Sequence, residues 1–130
     1  MNEKKVAFIY CVNNHELYEE SVRYVNSLNV PDGYEIEIIK IENAKSITSG
    51  YNQGMRQTDA KYKVYLHQDV FIVNKNFLYD IIALFDKYPK LGMIGVAGAK
   101  TIPRNGIWWE STQRFGKVYD SHTGEMKLLS

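Results

Sequence analysis

His67, Gln68 and Asp69 stand in the middle of an otherwise apolar stretch, "KYKVYLHQDVFIV". A carboxylate inside a strand costs several kcal/mol unless it is paired or coordinates something. An acid kept at such a place marks a candidate site. Two other short runs end in the same way. Asn13, Asn14 and His15 follow the first apolar run, and Glu42 and Asn43 follow the second. In open α/β sheets, ligands bind at the carboxyl ends of strands near a topological switch point. These residues therefore read as one shared polar rim. Plainer readings stand beside that one. Asn13 can cap a helix, Glu42 can be a solvated loop acid, and His67 can be a core or edge histidine making one hydrogen bond.

The elements that must carry this rim follow from the hydrophobic pattern. Residues 6–12 are continuously apolar, as in a strand buried on both faces. Asn13 with Glu16 three residues later predicts a capped helix with Leu17, Ser21, Tyr24 and Leu28 on one stripe. The turn signal "NVPDG" closes it. Residues 34–41 read as a second strand. Ser46 or Thr48 can cap a short helix with Tyr51 and Met55 on one face. Gly50 and Gly54 weaken that helix by about 1 kcal/mol each, which points to close approach of a ligand or a neighbouring element.

Residues 63–67 form the third strand. Asn74 is expected to cap a helix whose stripe is Phe77, Ile81, Leu84, Phe85 and Tyr88, stopped by Pro89. "LGMIGVAGA" reads as a fourth strand. Alternating strands and helices predict an α/β fold with a mainly parallel sheet flanked by helices. Residues 118–119 and 126–129, around "DSHTGE", predict a hairpin. The chain is expected to be one domain over residues 1–130, with a βα core over 1–99 and an irregular, β-prone extension over 100–130.

Composition narrows the function classes. With 45% apolar and 24% charged residues and a net charge of +1, the chain reads as a globular protein. No basic patch suggests nucleic acid, and no run is long enough for a membrane span. The cytosol is the expected compartment. The single cysteine, Cys11, excludes an intrachain disulfide and reads as a small core residue. No phosphate-cradling glycine fingerprint follows the first strand. No Cys/His cluster has structural zinc spacing, and no serine lies in a nucleophile elbow.

Four stretches together resemble a known family: "VAFIYCVNNHELYEESVRYVNSL", "IENAKSITSGYNQGM", "DAKYKVYLHQDVFI" and "FLYDIIALF" with "IGVAG". They are similar to inverting, family-two-type glycosyltransferases with the GT-A (Rossmann-like) fold of nucleotide-diphospho-sugar transferases. "YLHQDV" and "YNQGM" most resemble the branch that includes the streptomycin-biosynthesis StrF proteins. The resemblance covers nearly the whole chain. It implies nucleotide contacts at Asn13 and Asn14, and Glu42 reaching the base or ribose. It adds Asn52, in the helix beside the nucleotide. The family's Asp-x-Asp motif aligns on His67-Gln68-Asp69, with His67 in place of the first acid. Asp69, assisted by His67, would then hold Mn²⁺ or Mg²⁺, since one carboxylate plus phosphate oxygens can suffice, and an imidazole suits Mn²⁺ better.

The resemblance also implies a nucleotide-sugar donor, an acceptor of unspecified kind, and transfer with inversion. The family's second half, with its acceptor site and general base, is expected to be missing here. Glu110 and Asp120 are the candidate bases, or else surface acids of a hairpin. Trp108 and Trp109 are candidates for stacking on a sugar or acceptor, or else cover for an open core. Exposed apolar surface would favour homo-oligomers. Two other classes stand beside the enzyme. One is a truncated, non-catalytic nucleotide-sugar-binding or scaffold module. The other is a receiver-like signalling domain with Asp69 as phosphoacceptor, although Asn13 and Asn14 stand where that fold wants acids.

Overall fold

The computed structural model describes residues 1–95 and the short strands Gly98–Ala99, Arg114–Phe115, Val118–Asp120 and Lys127–Leu129. The chain divides into two compact units, Met1–Tyr88 and Pro89–Ser130.

In the first unit a parallel sheet runs in the order β2-β1-β3, with β1 Asn2–Val12, β2 Glu35–Glu42 and β3 Ala60–His67. Helices α1 His15–Asn26, α2 Ile47–Arg56 and α3 Phe77–Lys87 connect or follow these strands. The fold is α/β, as the alternation of elements predicts. The central strand β1 is fully buried over residues 6–10, which explains its unbroken apolar run. Phe8 lies opposite Ile38 on one side and Val64 on the other. Both outer strands begin earlier or end later than the apolar pattern shows. β3 starts at Ala60 rather than residue 63, and β2 runs on to Glu42.

The two faces of the sheet carry different helices. Val6, Phe8, Tyr10 and Val12 pack with Val25 and Leu28 at the α1 end, and with Leu78 and Ile82 of α3. Ala7, Ile9, Ile39 and Ile41 form the core of the opposite face, where Tyr51 of α2 packs. The buried side of α2 is Gly50 and Gly54 rather than the expected Tyr51–Met55 face, since Met55 is exposed. A Cβ on Gly50 would run into Cys11 Sγ, and one on Gly54 into Ile9 Cγ2. The close approach is thus to β1 itself. On α3, Leu84 and Tyr88 are exposed, and the buried positions are Leu78 and Ile82.

Two local expectations change, and one is narrowed to a single residue. Asn14, not Asn13, caps α1: its side chain accepts the Leu17 N–H at 3.2 Å. Glu16 therefore sits one residue too early for a reciprocal box. Ser46 rather than Thr48 caps α2, accepting the Ser49 N–H at 3.0 Å. Asn74 does not cap α3. Its Oδ1 accepts the Asn76 N–H at 3.0 Å, its Nδ2 donates to Asp80 at 2.8 Å, and the helix begins after Asn76.

In the second unit, residues 91–95 of the expected fourth strand carry no strand structure. The strand β4, Gly98–Ala99, pairs antiparallel with β5, Arg114–Phe115. The expected hairpin is present: β6 Val118–Asp120 pairs antiparallel with β7 Lys127–Leu129. Among the described residues, no helix is long and apolar enough to cross a membrane.

Candidate functional site

The strand order reverses at β1. The chain moves from β1 to one neighbour, β2, and then crosses back to the other, β3. The carboxyl ends of β1 and β3 thus flank a switch point, the place where α/β sheets bind ligands. Gln68 bridges it. Its Oε1 accepts the backbone N–H groups of Asn13 and Asn14, each at 2.9 Å. Its Nε2 donates to Asn13 Oδ1. One carboxamide therefore satisfies two backbone donors of the β1–α1 turn and one side-chain acceptor.

The strand β3 stops at His67, and Gln68 and Asp69 form a turn closed by the Val70 N–H donating to the His67 carbonyl at 3.1 Å. Asp69 and His67 are exposed. The acid is thus at the end of the strand rather than buried within it, and it carries no desolvation debt. A second anchor fixes the far side of the turn. Ser21 Oγ, fully buried on α1, donates to the Val70 carbonyl and hydrogen-bonds the Tyr10 hydroxyl at 2.6 Å. Phe71 then stacks on Tyr24 with ring centroids 5.3 Å apart. Gln68 and Ser21 therefore hold Asp69 between them.

At the end of β2, Glu42 accepts from Lys40 at 2.9 Å, and His15 Nε2 lies 3.6 Å away. The Lys40 hydrogen bond and charge hold the Glu42 carboxyl below its ordinary range. Glu42 is thus a fixed acceptor at neutral pH. Asn43 takes a left-handed φ of 57°, which a short polar side chain tolerates, and the strand ends there. Cys11 lies just below the rim with its Sγ 3.8 Å from the Ile47 carbonyl, and burial pushes its thiol up.

The structure brings Asn13, Asn14 and Gln68 into one hydrogen-bonded group, with Asp69 next in the chain. It joins Glu42 to His15 at the β2 end. Asn52 is exposed on α2, on neither buried glycine position, and makes no hydrogen bond to these groups among the described residues. Trp108, Trp109 and Glu110 lie outside the described residues. Asp120 lies on β6, opposite Lys127. The sequence puts Gln68 and His15 on the polar rim without giving either a role, and it shows Ser21 only as one position of the α1 stripe. Their signals were weak: an amide between two candidate ligands, a histidine one residue past a cap, and a serine on an apolar stripe.

Among the described residues, no group of three or more His, Cys, Asp or Glu side chains is placed to hold a metal ion. His67 and Asp69 therefore form no closed protein cage. An ion held there would have to complete its shell with water and phosphate oxygens, which is how Mg²⁺ is commonly bound. A separate shallow cavity of about 590 Å³, lined by Asn29, Val30, Asn76, Tyr79 and Asp80, shares no residue with the rim.

No curated protein and no solved structure matches the chain. One family model does, that of a glycosyltransferase like family, and it matches residues 7–130. That span contains every rim residue described above. The chain belongs to this glycosyltransferase-like family.

Proposed function

We propose that this chain binds a nucleotide-diphospho-sugar at the β1–β3 switch point and serves glycosyl transfer with inversion. The observation that carries this reading is the Gln68 bridge, which assembles polar groups from two strand ends at the ligand edge of the sheet. Family membership supports the same reading.

The residues divide the work by their chemistry. Asn13 and Asn14 line the nucleotide. Glu42, kept ionised by Lys40, accepts a hydrogen bond from the base or a ribose hydroxyl. Asp69 is the principal ligand for Mn²⁺ or Mg²⁺, with His67 beside it. Bound there, the ion would stabilise negative charge on the departing diphosphate. Asn52 is a candidate from the resemblance alone. In the transfer itself, an acceptor hydroxyl attacks the anomeric carbon as the bond to the diphosphate oxygen breaks, and a base takes the hydroxyl proton. Glu110 and Asp120 are the candidates for that base, and Trp108 and Trp109 for stacking on the sugar or acceptor.

Backbone amide NMR during titration with UDP and GDP in the presence of Mg²⁺ tests where the nucleotide sits. The largest shifts are expected at Asn13, Asn14, Glu42 and Gln68. Shifts confined to Asn29, Asn76 and Tyr79 would move the site to the other cavity and contradict the reading.

A further inference from the structure

The amide groups of the β1–α1 turn are not free to face either way. Two backbone N–H groups, those of Asn13 and Asn14, converge on one atom of Gln68. Only an acceptor can lie there, so Oε1 faces the turn and Nε2 is directed at Asn13. Nε2 is a donor, so the Asn13 atom that meets it must be Oδ1. Asn13 is exposed, and its Nδ2 has no partner among the described residues. Asn14 reaches the same state by another route. Its Oδ1 is taken by the Leu17 N–H, leaving Nδ2 without a partner among the described residues. Each carboxamide oxygen thus already accepts one hydrogen bond within the chain and is turned toward it, and both NH₂ groups remain.

We infer that Gln68 is a positioning residue that makes the β1–α1 turn present its side-chain NH₂ donors outward, so that the turn recognises hydrogen-bond-accepting oxygens of the ligand. Those oxygens are either carbonyls of the nucleobase or oxygens of the diphosphate. The inference rests on the nucleotide-sugar reading and adds which atoms do the recognising and what sets them. Glu42 is the complementary group at the neighbouring strand end: ionised, it offers only acceptors. A ligand with acceptor oxygens toward β1 and an N–H or hydroxyl toward β2 fits both.

Two substitutions reverse the outward atom with little change of shape. Asn13→Asp keeps an oxygen toward Gln68 Nε2 and turns the outward NH₂ into an oxygen. Gln68→Glu keeps an acceptor for the two backbone N–H groups but cannot donate to Asn13. The Asn13 amide then turns over and shows its oxygen to the ligand. Three probes separate the sources: uridine, UDP and inorganic pyrophosphate, each titrated by NMR on the whole chain, with thermal melting to verify folding. Loss of one such hydrogen bond corresponds to about tenfold in affinity.

If the acceptor is a base carbonyl, both variants weaken uridine by about tenfold or more, and pyrophosphate binding falls only by the repulsion of the added carboxylate, which salt screens. If it is phosphate, UDP and pyrophosphate weaken and uridine does not. Uridine is neutral, so its response is independent of the added charge. Folded variants that bind all three probes like the wild type overturn the inference while the nucleotide reading stands. A wild-type chain that binds none of the three overturns that reading and this inference with it.

Discussion

The Ser21 hydroxyl donates to the carbonyl of Val70, the residue directly after Asp69, and does so from a fully buried position on α1. The same oxygen meets the Tyr10 hydroxyl from the central strand. A buried polar contact thus ties the first strand and first helix to the turn that carries the candidate metal ligand.

Ser21→Ala removes a partner from the buried Tyr10 hydroxyl and from the Val70 carbonyl together. An unsatisfied buried group costs about 1–3 kcal/mol, and denaturant unfolding should show a loss in that range. Tyr10→Phe combined with Ser21→Ala should cost less than the sum of the two, because they share one contact. Additive losses would show that the two hydroxyls do not act together.

Gly54→Ala sets two effects against each other. Alanine gains about 1 kcal/mol of helix propensity, but its Cβ would meet Ile9 Cγ2, and Ile9 is fully buried. Overpacking of that kind costs about 1–3 kcal/mol. The unfolding midpoint should therefore fall. A rise would mean that α2 can move away from β1, and that close packing is not why glycine stands there.

Glu42 should titrate below an unpaired glutamate, because Lys40 donates to its carboxylate. The unfolded chain then takes up the proton first as the pH falls. The stabilisation is complete above the unfolded carboxylate range and is lost as the pH drops through the lowered folded value. Carboxyl NMR should show Glu42 moving up in Lys40→Met, and also moving up in wild type at about 1 M salt, where the Debye length is about 3 Å. An unchanged Glu42 titration in Lys40→Met would contradict the pairing.

Cys11 should be slow to react. Burial pushes its thiol up, and its Sγ is covered by Gly50 and the Ile47 carbonyl. Modification by an aromatic disulfide reagent at neutral pH should be far slower in the native chain than in denaturant. Equal rates would mean that α2 lifts off the sheet readily.

Much of this architecture is legible in the pattern of residues, and the misses share a cause. The unbroken apolar run at residues 6–12 is readable because β1 is buried on both faces. The polar strand ends are readable because a strand that reaches the ligand edge must stop being apolar there. Adjacent Asn13 and Asn14 are equivalent as caps by local rules. What separates them is a partner at Gln68, 55 residues away from Asn13. Asn74 looks like a cap until its side chain is seen engaged with Asn76 and Asp80. The glycine-rich run at 91–99 has strand composition but pairs locally, through Gly98 and Ala99, with Arg114 and Phe115. In each case the deciding contact is one that the local pattern does not specify: it is remote for Asn13, while for Asn74 and for residues 98–99 it is made with nearer residues.

The most direct measurement is calorimetric titration of UDP, with and without Mn²⁺, on wild type and on Asp69→Ala. Asp69 is exposed on a turn anchored by neighbours, so its truncation should leave the fold intact. The predicted result is tighter binding of UDP to wild type when Mn²⁺ is present, and loss of that metal-dependent gain in Asp69→Ala with metal-free binding preserved. A wild type that shows no metal-dependent nucleotide binding, or an Asp69→Ala variant that retains it in full, would contradict the assignment of the donor site to the ends of β1 and β3.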